Sequence, residues 1–416
     1  MGQYRRYNYR DNKLTEQFKK HFCMAPWTHM SVWQNGDAYP CCIYNWNMPV
    51  GNINDAGFKG VWNSEKMREL RLRMLKNVAS QGCEKCIKYD EQGIISYRHK
   101  FNTEYDHHYD IVQTTQEDGT VEQMNLAYFD VRFSNLCNMK CRSCGPHFSS
   151  KWAEDINGKP EVVEINHPEM WEEIEEILPT IEEVYFTGGE SLFMPQHYRL
   201  LDMLIERGLK PRLTYNSNAT RLSLKGKHIK DYWQHFDHIF YCVSLDQVGS
   251  KAEYTRNGQT WDTVYNNLCY IRDNFEQGYD KGVVIQPNPT ISVLNIMDLR
   301  EIINFLFDNK LVTDYDINLS NVLVGPEWMS ITMLPQHYKD VAKEKLELLK
   351  QDITALKLYE TRHNFLINGI DNIINYMYNK DDSHFIPKFR EEMQKLDMKR
   401  GENFLKVFPE LKDLYV

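Results

Sequence analysis

Along 126–133 the chain reads LAYFDVRF, an alternation of apolar and polar positions rich in aromatics and Val that predicts a β-strand. Comparable strands are expected near 183–187, 212–216, 238–245, 283–293 and 315–324. Between them, apolar residues recur at helical spacing near 169–178, 196–207, 226–235, 261–275 and 297–309. Six strands with intervening helices imply parallel βαβ units. Upstream, FCMAPWTHMSVWQNGDAYPCC reads as two β-rich segments around Gln34-Asn35-Gly36-Asp37, and Asn-Gly between such runs is a strong hairpin signal. The stretch 61–77 (VWNSEKMRELRLRMLKN) has helical spacing, with Asn63 or Ser64 as its cap. Residues 103–124 are polar and unpatterned, and read as a linker. From Pro335 the pattern is helical, broken at Gly369, 381–383 and Pro387. Residues 1–20, charged and aromatic without a period, read as an arm packed on the body. No repeat and no low-complexity tract is present.

Length and charge narrow the function. The 416 residues suffice for two or three domains, and 42% hydrophobic with 26% charged residues describe an ordinary soluble protein. No run of eighteen apolar residues exists and the start MGQYRRYNYRDNK is polar, so neither a membrane span nor a secretory signal is expected, and the expected location is cytoplasmic. Gly2 is followed by Arg6 where a myristoylation signal needs Ser or Thr. A net charge of -9 argues against a general nucleic-acid binder.

The ten cysteines carry the chemistry, because eight of them fall in compact groups. In CNMKCRSC, Cys137, Cys141 and Cys144 follow directly on the strand at 126–133, at the end where barrel and α/β enzymes build active sites. Three thiolates on so short a loop hold three irons of a cubane and leave the fourth open to a ligand. A zinc knuckle is the alternative, with His147 as the nearest fourth ligand. Cys23 and Cys41 sit at the two ends of the expected hairpin, and Cys83 and Cys86 form a CxxC turn in QGCEKC. Four thiolates from two distant turns suit either a structural zinc or an iron-sulfur cluster. Cys242 and Cys269, each in an apolar context, read as buried inert thiols. His107 and His108 read as a solvated loop pair, with metal ligation as the alternative.

The loop at Cys137–Cys144 resembles the cluster motif of the radical S-adenosylmethionine (SAM) enzymes. In that family SAM chelates the fourth iron through its amino and carboxylate groups, and one electron cleaves it to a 5'-deoxyadenosyl radical. Ser143 stands where the family more often has an aromatic residue near the adenine. The pattern C-x12-G-x4-C from Cys23 through Gly36 to Cys41, followed by CxxC, resembles twitch, a shortened SPASM module, over about residues 22–102 including EQGIISYRHKFN. This resemblance implies a second, auxiliary 4Fe-4S cluster on Cys23, Cys41, Cys83 and Cys86, in a module that more usually follows the barrel and here precedes it. Cys42 misses the spacing by one residue, and neighbours in an extended strand face opposite ways, so Cys41 is the expected ligand. In YFTGGES, Gly188, Gly189 and Glu190 follow the second strand, where the resemblance implies contact with the SAM amino group. Ser217 and Asn218 end the third strand, and Ser244 and Asp246 the fourth, as turn caps or as ligands of a ribose and a carboxylate. With Arg256 in EYTRNG they resemble the SPASM-family pattern that reaches SAM, Arg supplying a planar fork for its carboxylate.

The expected fold is α/β: a partial (β/α)6 TIM-type barrel over 125–330, an N-terminal α+β cluster domain over 1–102, a linker over 103–124 and a helical region over 331–416. The expected function is reductive SAM cleavage followed by hydrogen abstraction from a peptide or protein side chain. The auxiliary cluster would then transfer electrons or anchor substrate, and a flavodoxin or ferredoxin would act as reductant. A small-molecule reaction in cofactor biosynthesis, and a non-catalytic zinc or iron-sulfur scaffold, are the alternatives. No catalytic acid or base stands out by spacing.

Overall fold

The computed structural model describes residues 20–91 and 96–416, so nearly all of the expected N-terminal arm, and residues 92–95 of EQGIISYRHKFN, lie outside the described residues. Two compact units result. The first comprises Met1–Leu136, Val162–Thr214 and Lys230–His238; the second comprises Cys137–Glu161, Tyr215–Ile229 and Ile239–Val416.

In the first unit the Asn-Gly hairpin forms between β1 (His29–Val32) and β2 (Asp37–Tyr39), with Ser31 opposite Tyr39 and Gly36 at φ 87°. Gly36 is required there, because a left-handed turn crowded by Asn52 and Asn54 leaves no room for a Cβ. The upstream half is only partly a strand: Cys23 precedes a helical turn, Ala25–Thr28, with Pro26 in its first positions. Strand β3 (Gly51–Asn52) pairs with β2, while β1 runs parallel to β4 (Tyr128–Val131), which in turn pairs with β5 (Glu183–Phe186). Strand β6 (Arg212–Ser217) begins in this unit beside β5. The N-terminal hairpin thus extends the barrel sheet and does not form a sheet of its own.

Register fixes two faces. Met30, Phe129 and Val184 line up on one, with Val32, Val131 and Phe186 following, all buried; Phe58 of helix Ile53–Trp62 packs on Phe129 at 5.7 Å between ring centroids. His29, Tyr128 and Glu183, then Ser31, Asp130 and Tyr185, share the opposite, polar face.

The helix expected within 61–77 forms with Ser64 as its cap, and a second helix precedes it. Helix Ile53–Trp62 ends at Asn63, and Ser64 caps Glu65–Leu75 by accepting from Met67 N at 3.3 Å. Residues 103–124, expected as a linker, are structured: helix Tyr97–Glu104 is followed by the turn Asp106–His108 and helix Tyr109–Gln113, and Ile111, Val112 and Val121 are buried. Their apolar positions are too widely spaced for the sequence pattern to reveal. Arg71 clasps this segment. Its buried guanidinium lies 4.5 Å over Trp62 and donates to Pro26 O (3.0 Å), Asn63 Oδ1 (2.9 Å) and Gly119 O (3.4 Å).

The second unit holds the rest of β6, then β7 (His238–Val243) and β8 (Gly282–Pro287), in the order β8-β7-β6. Helices Trp261–Asn274 and Leu299–Asp308 follow β7 and β8, as their periodicity predicts. The strand expected over 283–293 stops at Pro287, and that over 315–324 is reduced to one bridge, Ile291 to Val322. Asp314 and Tyr315 have φ of 50° and 55°, and Asn318 turns the chain by accepting from Ser320 N at 3.0 Å, which breaks the alternation. The C-terminal region is helical over Gln336–Ala355, Glu360–Tyr378 and Ile386–Arg400. Gly369 does not break its helix; a Cβ there would meet Leu319 Cβ at 3.0 Å, so the residue admits a close neighbour. The fold is an α/β partial TIM-type barrel with a helical C-terminal region. Among the described residues no helix is long and apolar enough to cross a membrane.

Arg71→Ala removes the donor to Pro26 O and Gly119 O, leaves Asn63 Oδ1 with Val121 N alone, and is expected to destabilise the fold by about 2–4 kcal/mol in denaturant titration. Arg68→Ala, which removes only an exposed pair with Asp118, should change stability by less than about 0.5 kcal/mol. Equal effects would show that the clasp does not hold the segment.

Candidate functional site

The cysteine loop of the second unit is pinned at every turn. Lys140–Cys141 pairs antiparallel with Arg256–Asn257, Arg142 N donates to Thr255 O (2.9 Å), and Trp152 Nε1 donates to Cys141 O (2.9 Å). Ser149 Oγ donates to Met139 O at 2.6 Å, and Cys137 N to Ser150 Oγ at 3.2 Å. Gly258, at φ 107°, lets its strand approach: a Cβ would meet Asn138 O at 2.8 Å. Between two of the thiols, Arg142 is buried and donates to Asp397 Oδ1 and Glu402 Oε2, both at 2.6 Å, with its Cζ 3.6 Å from the Tyr254 ring. Lys140 and Arg400 meet on Asp155 at 2.9 and 2.8 Å. The C-terminal helices therefore hold the loop. Sequence reading missed this, and only the charge inside the cysteine motif hinted at it.

Arg256 donates through Nε to Asp246 Oδ2 at 2.8 Å and from Nη1 to Cys141 Sγ at 3.7 Å. Burial raises the Cys141 thiol pKa, and the Arg256 charge works against that rise. The other oxygen of Asp246 accepts from Thr290 N at 2.7 Å. Ser217 Oγ accepts from Tyr241 Oη (3.0 Å) and Ala219 N (3.1 Å), and Ser244 N donates to Ser217 O (2.8 Å). Asn218 accepts from Thr220 N (2.9 Å) and donates to Asn138 Oδ1 (3.0 Å), tying the end of β6 to the cysteine loop. Ser217, Asn218, Ser244, Asp246, Arg256 and the three cysteines thus belong to one unit.

Gly188, Gly189 and Glu190 lie in the first unit, against the backbone that leads into the loop. Gly188 has φ 112°, and a Cβ on Gly189 would stand 2.2 Å from Leu136 O. Glu190 N donates to Leu136 O at 2.9 Å, and its buried carboxylate accepts from Leu192 N at 3.2 Å. The two glycines are therefore demanded by backbone contact as well as by any ligand.

Cys23, Cys41, Cys83 and Cys86 line one cavity of the first unit, with Tyr44, Tyr97 and Arg98 among its walls. All cysteines are free thiols. Burial raises the pKa of each of these four; the Cys41 thiol also feels Cys42 and, less strongly, Cys23, Cys83 and Cys86. Four soft donors converging without a disulfide suit an iron-sulfur cluster or a zinc ion. Cys42 lies outside that cavity lining. Burial pushes its thiol up to about 12, with Asp130 adding to the rise and Lys100 and Arg132 opposing it. Cys41 and Cys42 both lie in the turn after β2, which ends at Tyr39, and not in an extended strand.

Beneath Cys42 lies the polar face of β1, β4 and β5. Asp130 is buried, accepts from Ser31 Oγ through Oδ2 at 2.7 Å, and has no partner at Oδ1. Burial disfavours charge on Glu183, but Arg212 and Lys100 hold its carboxyl below the usual range. Asp130 escaped sequence reading because an acidic residue inside an alternating strand looks like a solvated position. Cys242 is buried as expected, 3.6 Å from Gln286 Oε1, whereas Cys269 is half-buried; the helix Trp261–Asn274 places it off the apolar face. His147 is exposed.

Cys41→Ser is expected to halve the iron of anaerobically reconstituted protein and remove one electron paramagnetic resonance signal, while Cys42→Ser keeps both clusters. Loss of iron confined to Cys42→Ser would reverse the ligand choice.

Two protein-family models match the chain: an iron-sulfur cluster-binding domain (SPASM) over residues 23–87 and the radical SAM superfamily over 131–306. No curated protein matches. Among solved structures the chain is similar to native anSMEcpe with bound AdoMet and Cp18Cys peptide, at 13% identity, with 56% of this chain and 61% of that one covered and a TM-score of 0.39. It is also similar to SuiB of Streptococcus suis bound to S-adenosylmethionine, at 16% identity over 59% of this chain and 51% of that one, TM-score 0.34. The same enzyme bound to its precursor peptide SuiA matches at 14% identity over 84% and 68%, TM-score 0.35. The chain spans about half to three fifths of the length of the first two. The four-thiol cavity falls within the first matched domain and the three-thiol loop within the second, so the chain carries a radical SAM superfamily domain with a SPASM domain ahead of it, and SAM and two 4Fe-4S clusters are its cofactors.

Proposed function

We propose that this radical SAM enzyme removes a hydrogen atom from a peptide or protein side chain and completes a two-electron oxidation of it. The carrying observation is the unpartnered oxygen of buried Asp130, set on a polar face whose charge reaches Cys42, one residue from Cys41, the proposed auxiliary ligand. When bound, SAM and the first cluster supply the radical that takes the hydrogen atom, and the second cluster supplies an electron acceptor or an anchor.

The chain's own residues do the rest. Cys137, Cys141 and Cys144 would hold the first cluster, and Cys23, Cys41, Cys83 and Cys86 the second. Arg256, kept oriented by Asp246, would meet the SAM carboxylate, and the backbone at Gly188 and Gly189 with Glu190 its amino group. Ser217, Asn218 and Ser244 would shape the ribose side. Asp130 would accept the polar hydrogen of the substrate and keep its proton as oxidation proceeds. Tyr128 and Tyr185, 6.2 Å apart on the same face, would flank a side chain. A flavodoxin or ferredoxin would supply the reducing electron, and the cytoplasm would supply such reductants.

The test uses anaerobic holoenzyme, SAM, dithionite and the short peptides encoded beside its gene, read by mass spectrometry. Wild type is expected to form 5'-deoxyadenosine and a peptide lacking two hydrogens. Replacing Cys137, Cys141 and Cys144 together by Ala should abolish both products. Asp130→Asn should retain SAM cleavage but lower peptide oxidation by about 100-fold or more. SAM cleavage with every peptide unchanged would favour a small-molecule substrate instead.

A further inference from the structure

Besides the cysteines, one group of metal-ligating side chains converges among the described residues of the first unit. His107 and His108 occupy the turn Asp106–His108, and Glu182 directly precedes β5. His107 Nε2 lies 2.9 and 3.1 Å from the two carboxylate oxygens of Glu182, and His108 Nε2 lies 2.9 Å from Oε1. The ligand atoms of all three residues fall within 4.8 Å of one another. Donors bound about 2.0–2.1 Å from one tetrahedral ion stand about 3.3 Å apart, so side-chain shifts of a few tenths of an ångström from these hydrogen-bond distances would admit a shared cation.

The surroundings hold this arrangement in place. Glu182 N donates to Ala127 O and Arg212 N donates to Glu182 O, both at 2.8 Å, while His108 N donates to Tyr105 O at 3.1 Å. Asn125 Nδ2 stands 3.1 Å from His108 Nδ1, and the Asn125 Oδ1, buried, has no partner. An amide's oxygen and nitrogen are interchangeable in shape. Rotating Asn125 by half a turn lets His108 Nδ1–H donate to Oδ1, which satisfies that oxygen and turns the Nε2 lone pair on the Glu182 carboxylate. Either a second ring proton or a metal ion then sits between that lone pair and the carboxylate, and a metal ion serves both histidines at once. A carbonyl that orients a histidine through its second nitrogen is the usual outer support of a metal ligand.

We propose that His107, His108 and Glu182 bind a divalent transition-metal ion, with water in the open positions and Asn125 as the outer support. Two imidazoles and a carboxylate suit zinc best among abundant ions. Glu182 lies at the N-terminal start of β5 and Gly188–Glu190 beyond its C-terminal end, so the ion serves the fold and not the chemistry. It clips the turn at 106–108 to the barrel sheet, the segment whose sequence resembles a linker.

The experiment titrates zinc sulfate into cluster-loaded, chelator-washed holoprotein. The readouts are zinc and iron per chain by mass spectrometry and the zinc shell by K-edge X-ray absorption. Wild type is expected to take up one zinc with a nitrogen and oxygen shell and to melt higher with it than without. The double variant His107→Ala, His108→Ala and the single variant Glu182→Gln, which keeps the hydrogen-bonding shape, should each bind zinc at least tenfold more weakly with iron unchanged. Sulfur in the zinc shell, equal uptake by the variants, or no saturable uptake by wild type would each overturn the assignment.

Discussion

Three thiols within eight residues leave a loop a single buried apolar side chain, Met139, so most of its position must come from polar contacts made elsewhere. Arg142 supplies most of that constraint. Its guanidinium is buried, carries two carboxylates at 2.6 Å and stacks on Tyr254. Breaking such a buried pair by removing one partner costs about 3–5 kcal/mol, because the remaining charge has lost its water. Asp397 in turn accepts from Tyr254 Oη (2.7 Å), Phe404 N (2.7 Å) and Tyr415 Oη (2.9 Å), so the end of the chain folds around the carboxylate that the cysteine loop needs. A cluster site that must not drift is thereby tied to residues some 250 positions away.

The N-terminal segment solves a related problem differently. Four thiols share one cavity, and the chain turns so that a fifth, Cys42, leaves it for the polar face of the sheet. On that face Glu183 has Arg212 and Lys100 to neutralise it, whereas Asp130 has one oxygen bound to Ser31 and one without a partner. A buried carboxylate oxygen left unsatisfied is costly for folding. Its retention fits a group kept for a ligand.

The cysteine spacing, the hairpin at Asn35-Gly36, and the strands and helices from Tyr128 to Asp308 are legible in the sequence because each rests on a local period or a turn residue. What was not legible is set by partners distant in sequence. Residues 103–124 look like a linker until Arg71 and Trp62 are seen to bind Gly119 and Val121. The strand expected at 315–324 has the right composition, yet left-handed residues at Asp314 and Tyr315 and the turn at Asn318 divert it. Arg256 reads as a ligand-binding residue, but its pairing with Asp246 and its approach to Cys141 are tertiary facts. Gly189 reads as room for a ligand, whereas its tightest neighbour is the backbone at Leu136.

The two clusters are proposed to differ in one respect: the loop at Cys137–Cys144 would leave an iron open and the four-thiol cavity would not. Mössbauer spectroscopy of iron-57 protein, before and after SAM is added, measures that difference directly. About eight irons per chain are expected, one of which changes its isomer shift on SAM binding while the other cluster's spectrum stays the same. A spectrum in which no iron responds, or in which irons of both clusters respond, would contradict the account.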